Sequence, residues 1–153
     1  MKKIVMTALA MLMLCMLAGC PEAKDDKPTS MTFVDNLAAP AKEFTIDSKF
    51  NFQVTFITPN AIEAGMMLQP GDVIKGKIQK PDAAWDKNLT GEAAKMSSTN
   101  TLIHPVVETL EVPLSLDYTE TAGAISAVKL KFIGFATTIV QAQNLMGGDY
   151  YRK

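Results

Sequence analysis

The chain has 153 residues, with 15 basic and 16 acidic side chains and a formal net charge of −1. That length suits one domain with one core, and a charge balance without a basic stripe excludes nucleic-acid binding, which has to neutralise phosphates. Both cysteines, Cys15 and Cys20, fall within the first twenty residues, so the rest of the chain offers no disulfide, no thiolate nucleophile and no cysteine-ligated zinc.

In chain order, Lys2 and Lys3 come first, and Ile4 to Gly19 then run without a charge. This is the plan of a secretory leader. A helix over that stretch reaches roughly 24 Å, short of the roughly 30 Å of hydrocarbon that a spanning helix crosses. Pro21, Glu22, Lys24, Asp25 and Asp26 end the run abruptly.

At its C-terminal end stands Leu17-Ala18-Gly19-Cys20. This resembles the lipobox of bacterial lipoproteins, a resemblance confined to the leader. It implies that the Cys20 thiol accepts a thioether-linked diacylglycerol, that residues 1–19 are cleaved off, and that the new amine at Cys20 is acylated. Covalent lipid at Cys20 is then the only prosthetic group expected. Each buried methylene contributes about 0.8 kcal/mol, and two or three chains together anchor a protein lastingly where one does so only marginally. An Asp after the lipidated Cys is, in the sorting rule known for this class in enterobacteria, the sign of inner-membrane retention. Pro21 stands there instead, which favours a cell-envelope location on the outer membrane, facing the periplasm. The leader takes Lys2 and Lys3 but no acid, so the remaining chain carries a net charge of −3.

Pro21 to Ser30 is polar and charged, with no apolar residue larger than Ala, and reads as a flexible tether whose ten residues reach about 33 Å when extended. The organisation is therefore a leader over 1–19, lipidated Cys20 and tether over 20–30, and a single β domain over 31–153.

From Met31 onward apolar and polar residues alternate with period two, as in strands with one buried face. Phe50, Phe52, Val54 and Phe56 form one such series; Leu110, Val112, Leu114, Leu116 and Tyr118 a second; Val128, Leu130 and Phe132 a third. Weaker strands are expected over 31–35, 43–47, 72–79, 136–142 and 146–152, and the loop 119–124 joins two strands as a hairpin. Pro113, without an amide donor, predicts an edge position or a ladder that points to solvent there, and Gly134 predicts a bulge. Asn60-Ala61-Ile62-Glu63 reads as a capping box opening a helical turn towards Met67. Trp85, Leu89, Ala93 and Met96 recur at helical spacing, giving a short helix over 82–89 and a loop after it, with Gly91 weakening any longer helix. The fold class is all-β and mainly antiparallel: a small sandwich or barrel-like domain of about seven strands with one or two short helices.

Chemistry is sparse in this sequence. The one histidine, His104, precedes a proline, and none of Ser97, Ser98 or Ser115 sits in a nucleophile elbow. Glu111 and Asp117 alternate with apolar residues and so belong to a wet outer face rather than a paired-carboxylate site. No metal site is expected. The residue types that most often anchor interfaces are concentrated at Trp85 and at Tyr150, Tyr151 and Arg152. The sequence therefore reads as a non-catalytic module, held to the membrane by its lipid, that engages an envelope protein through those residues or a sheet edge. A carrier of a small apolar ligand behind the Phe50, Phe52 and Phe56 face is the alternative, and a hydrolase the third.

Overall fold

A computed structural model of the protein describes residues 30–35, 38–63, 66–79, 88–98 and 111–153. Its strands are β1 (Ser30–Val34), β2 (Lys42–Asp47), β3 (Asn51–Phe56), β4 (Asn60–Glu63), β5 (Met66–Leu68), β6 (Val73–Ile78), β7 (Leu89–Ser98), β8 (Glu111–Thr121), β9 (Ala124–Phe132) and β10 (Gly148–Arg152), with helix α1 (Thr137–Met146) before β10. Eight of them close an antiparallel barrel in the order β1-β10-β9-β8-β7-β6-β3-β2, and β4 and β5 form a separate hairpin. Chain neighbours pair throughout, so the barrel is an up-and-down meander, closed where β1 pairs with β10 at Phe33 and Arg152.

Alternation explains the inside. Phe52, Val54 and Phe56 of β3, Val112, Leu114 and Leu116 of β8, and Val128, Leu130 and Phe132 of β9 are all buried, as their period-two spacing requires. Phe44 stacks on Phe52 with ring centroids 5.9 Å apart and lies 5.3 Å from the Tyr150 ring and 6.2 Å from Phe33. Interior Phe residues 33, 44, 50, 52 and 56 are 0–2% exposed. A hollow of ligand size would leave ring faces accessible to water, so side chains fill this barrel, as eight strands permit. Lysines at 75, 77, 95, 129 and 131 instead point outward and are exposed, the reverse of a lipid-facing barrel, whose outer band is apolar.

Several local expectations are corrected. Residues 60–63 and 66–68 are the paired strands β4 and β5, in which Asn60 pairs with Leu68; the fully buried Leu68 favours this pairing over a helical turn. The helix expected over 82–89 lies outside the described residues as far as 87; residues 89–98 are strand β7, not a loop, and Gly91, with φ +76, is the extra residue of a bulge between Thr90 and Glu92. Residues 137–146 form helix α1, not a strand. Its Thr and Ile-Val start favours a strand, yet Ile139, Ala142, Leu145 and Met146 recur at helical spacing and face the core. Gly134, with φ +148, lies in the connection from β9 to α1, outside any strand.

Pro113 lies on no edge, because the barrel has none. Its carbonyl accepts from the Ile133 amide, 2.8 Å away and one residue past the end of β9. A strand residue's N–H and C=O point to the same side, so the missing donor falls where that ladder ends. The β8–β9 hairpin has a two-residue turn, Ala122-Gly123, between the paired Thr121 and Ala124, tighter than the 119–124 loop expected from the sequence.

Candidate functional site

The up-and-down order gives the barrel two distinct ends. At one, the chain enters at Ser30 and leaves after Arg152; β2 hands over to β3 and β8 to β9 there. At the other lie the β3–β6 connection with its β4–β5 hairpin, and the β9–β10 connection with α1.

From the entry end a shallow outer groove of about 860 Å³ runs across β2, β3, β6 and β7, starting at Ser30. Its wall is built by register. Thr45 pairs with Gln53, Gln53 with Lys75 and Lys75 with Ser97, making one outward row. In the next row Asn51 pairs with Lys77 and Lys77 with Lys95. Gly76, opposite Phe52, lies at the floor.

At the groove's end the Asp47 carboxylate accepts from the amides of Lys49 (2.8 Å) and Asn51 (2.9 Å) and from the Asn51 side chain (2.8 Å). Burial pushes this acid upward, but those hydrogen bonds and the Lys49 charge outweigh it and hold the carboxyl below its usual range. The same grip sets the β2–β3 turn in which Phe50 adopts φ +59 and turns its ring into the barrel.

Beneath α1 sits a second polar cluster. Tyr150 donates to the Met146 carbonyl, and Lys42 Nζ donates to the Leu145 carbonyl at 3.2 Å while standing 5.7 Å above the Tyr150 ring. A cation at the last carbonyls of a helix satisfies acceptors that the helix itself leaves open. Burial lowers the Lys42 amine from its ordinary value, partly offset by Asp35, and burial raises the Tyr150 phenol. Asp35 in turn accepts from the amides of Ala41 and Lys42. These contacts pin α1 to the barrel.

The end bearing α1 is apolar at its rim. Phe135 is fully exposed, and Ile57, Met67, Ile133 and Val140 are exposed with it. The topology places all five at this end, away from Ser30.

Of the residues the sequence singles out, Tyr150 is 0% exposed and belongs to the core, not to an accessible binding surface. Tyr151 and Arg152 are exposed at the entry end, with the Arg152 guanidinium 5.4 Å above the Phe33 ring. Cys20, Trp85 and His104 lie outside the described residues. Ser98 and Ser115 are buried, and Ser115 donates to Asp117 at 3.3 Å; Glu111 and Asp117 are on the outer face. Among the described residues no group of His, Asp and Glu could hold a metal ion. Sequence reasoning missed the groove lysines and Phe135. The Lys75-Gly76-Lys77 alternation placed two lysines on one face, but their proximity to Lys95 depends on strand pairing.

No protein-family model, curated protein or solved structure matches this chain.

Proposed function

We propose that this chain is a lipid-anchored protein of the cell envelope, held through Cys20, that acts as a non-catalytic docking module for an envelope protein. The observation that carries the reading is the rim of Phe135, Ile133, Val140, Ile57 and Met67, exposed at the end of the barrel opposite Ser30. A tether that joins the barrel at Ser30 puts this rim at the end far from the anchor. The five share one end of the barrel; exposed apolar surface marks interaction sites, and an aromatic is among the residue types that anchor them.

Two further features bear on the choice between readings. A closed barrel has no free edge, so strand addition to the main sheet gives way to side-chain docking at the rim. The filled interior favours docking over ligand carriage.

The test is in-cell photocrosslinking in the lipidated protein, with the photoreactive residue at Phe135 in one strain and at Tyr151 or Trp85 in others. One dominant protein adduct from Phe135, weaker from the entry-end Tyr151, supports the reading. Adducts from Tyr151 and Trp85 without any from Phe135 would move the docking surface off the rim. Lipid attachment is checked by the intact mass of the envelope-extracted protein against its Cys20→Ser variant.

A further inference from the structure

We propose that the outer groove over β3, β6 and β7 is a docking face for an anionic phospholipid surface, through Lys75, Lys77 and Lys95; the inference rests on the reading that Cys20 holds the protein to a membrane. Three observations point there. First, Lys77 and Lys95 are direct cross-strand partners, and Lys75 is two residues from Lys77 on the same face. Like charges directly opposite each other destabilise a sheet, so the chain holds this cluster at a cost to its own stability.

Second, among the described residues none forms a salt bridge to any of the three. The ion pairs formed among the described residues join Lys129 to Asp149 and Lys153 to Glu43, on other strands. Among the described residues, Asp47 lines the groove and Glu111 adjoins it. Asp47 is occupied by its hydrogen bonds to Lys49 and Asn51, and Glu111 lies opposite Lys95 in the ladder without forming a salt bridge to it. Lys49, exposed in the adjoining turn, adds a fourth positive charge. In a chain that is net negative once the leader is gone, this is a local reversal of sign.

Third, the groove begins at Ser30, where the tether meets the barrel. Residues 21–29 separate it from Cys20, a span of about 36 Å at most. A lysine face at the root of so short a tether stands within reach of the headgroups in which the lipid is embedded. The Ser97 hydroxyl lines the groove beside the charges, and the side-chain amides of Asn51 and Gln53, which give one N–H to Asp47 and Thr55, each keep a second N–H for phosphate oxygens. The apolar rim, at the opposite end, stays free to meet a partner.

The barrel closes on itself from residue 30, so the test uses the chain from residue 20 with Cys20→Ser, which separates the groove from the lipid. Its sedimentation with phosphatidylcholine vesicles is compared with that on vesicles containing one-quarter phosphatidylglycerol, at low and at physiological salt. Binding is expected only with phosphatidylglycerol and is expected to weaken as salt rises. Lys75→Gln, Lys77→Gln and Lys95→Gln together should weaken it roughly a hundredfold, at the strength typical of basic residues near an anionic surface. A control that removes the same number of charges elsewhere, at Lys129, Lys131 and Lys153, should leave most of it.

Equal loss in the control would mean that net charge alone is at work and would overturn the proposal, as would no binding to phosphatidylglycerol at low salt. Displacement by millimolar inorganic phosphate would also overturn it, in favour of a pocket for a single free anion. Failure of lipidation is read separately, from the mass of the wild-type protein, and leaves these vesicle results intact.

Discussion

The ring of Phe52 occupies the space that a β-carbon on Gly76, its cross-strand partner, would require. Both residues face the interior, and the absence of a side chain on β6 lets an aromatic from β3 lie flat across it. Phe44 then stacks on that ring, with centroids 5.9 Å apart. Three adjacent strands are thus keyed together by one glycine.

Gly76→Ala should therefore destabilise the barrel by about 1–3 kcal/mol, the usual cost of overpacking a filled core. Urea unfolding of Gly76→Ala, Phe52→Leu and the double variant tests the contact itself. Because Leu vacates the space the new methyl needs, the double variant should lose less than the two single losses added together. Strictly additive losses would mean that the two positions are not coupled.

The Ala122-Gly123 turn holds both residues at positive φ, +53 and +78, the backbone of the two-residue turn whose twist matches a hairpin. Ala is poorly suited to the first position, since its β-carbon crowds the carbonyl there. Ala122→Asn should raise stability by about 0.5–1 kcal/mol, and Ala122→Val should lower it. Thermal unfolding midpoints report both, and an unchanged or lower midpoint for Asn would mean that the turn is not strained at this residue.

Tyr150→Phe removes one buried hydrogen bond, to the Met146 carbonyl, and should cost about 0.5–1.5 kcal/mol at pH 7. The loss has a characteristic pH dependence. Because burial raises the folded phenol above its ordinary value of 10.0, the unfolded chain loses the proton first. Above about pH 10 the unfolded state binds fewer protons, and the wild-type protein loses stability as pH rises. The Phe variant lacks that loss, so its deficit should shrink between pH 7 and pH 11. Lys42, whose folded amine lies below the ordinary 10.5, pulls the other way in both proteins, adding stability as pH rises towards that value. Comparing the two proteins at each pH isolates the phenol, and a deficit that stays constant would place Tyr150 in a more polar setting.

Much of this molecule is legible residue by residue, and the failures share one cause. The alternation at 50–56, 112–118 and 128–132 identifies strands and their inner faces correctly, because a half-buried strand leaves a local period-two trace. Helix α1 was obscured by β-branched residues at its start, although Ile139, Ala142 and Leu145 carry the helical spacing that burial under the barrel end then selects. Leu89 to Met96 showed the reverse error. Leu89, Ala94 and Met96 are buried strand residues of β7, and the bulge at Gly91 shifts their alternation by one, which imitates a longer period. Tyr150 and Tyr151, adjacent and alike in sequence, differ entirely in setting, since neighbours on a strand face opposite sides.

The sequence alone was enough to define an all-β domain, the inward identity of most core residues and the β8–β9 hairpin. Only the tertiary structure decided that the sheet closes, that Lys77 stands opposite Lys95, and that the apolar rim and the chain entry lie at opposite ends. Period-two patterning is written in adjacent residues and specifies which face a side chain takes. Which strands become neighbours, and in what register, depends on contacts between residues far apart in the chain, such as Phe33 with Arg152, and single-strand patterning carries no record of them.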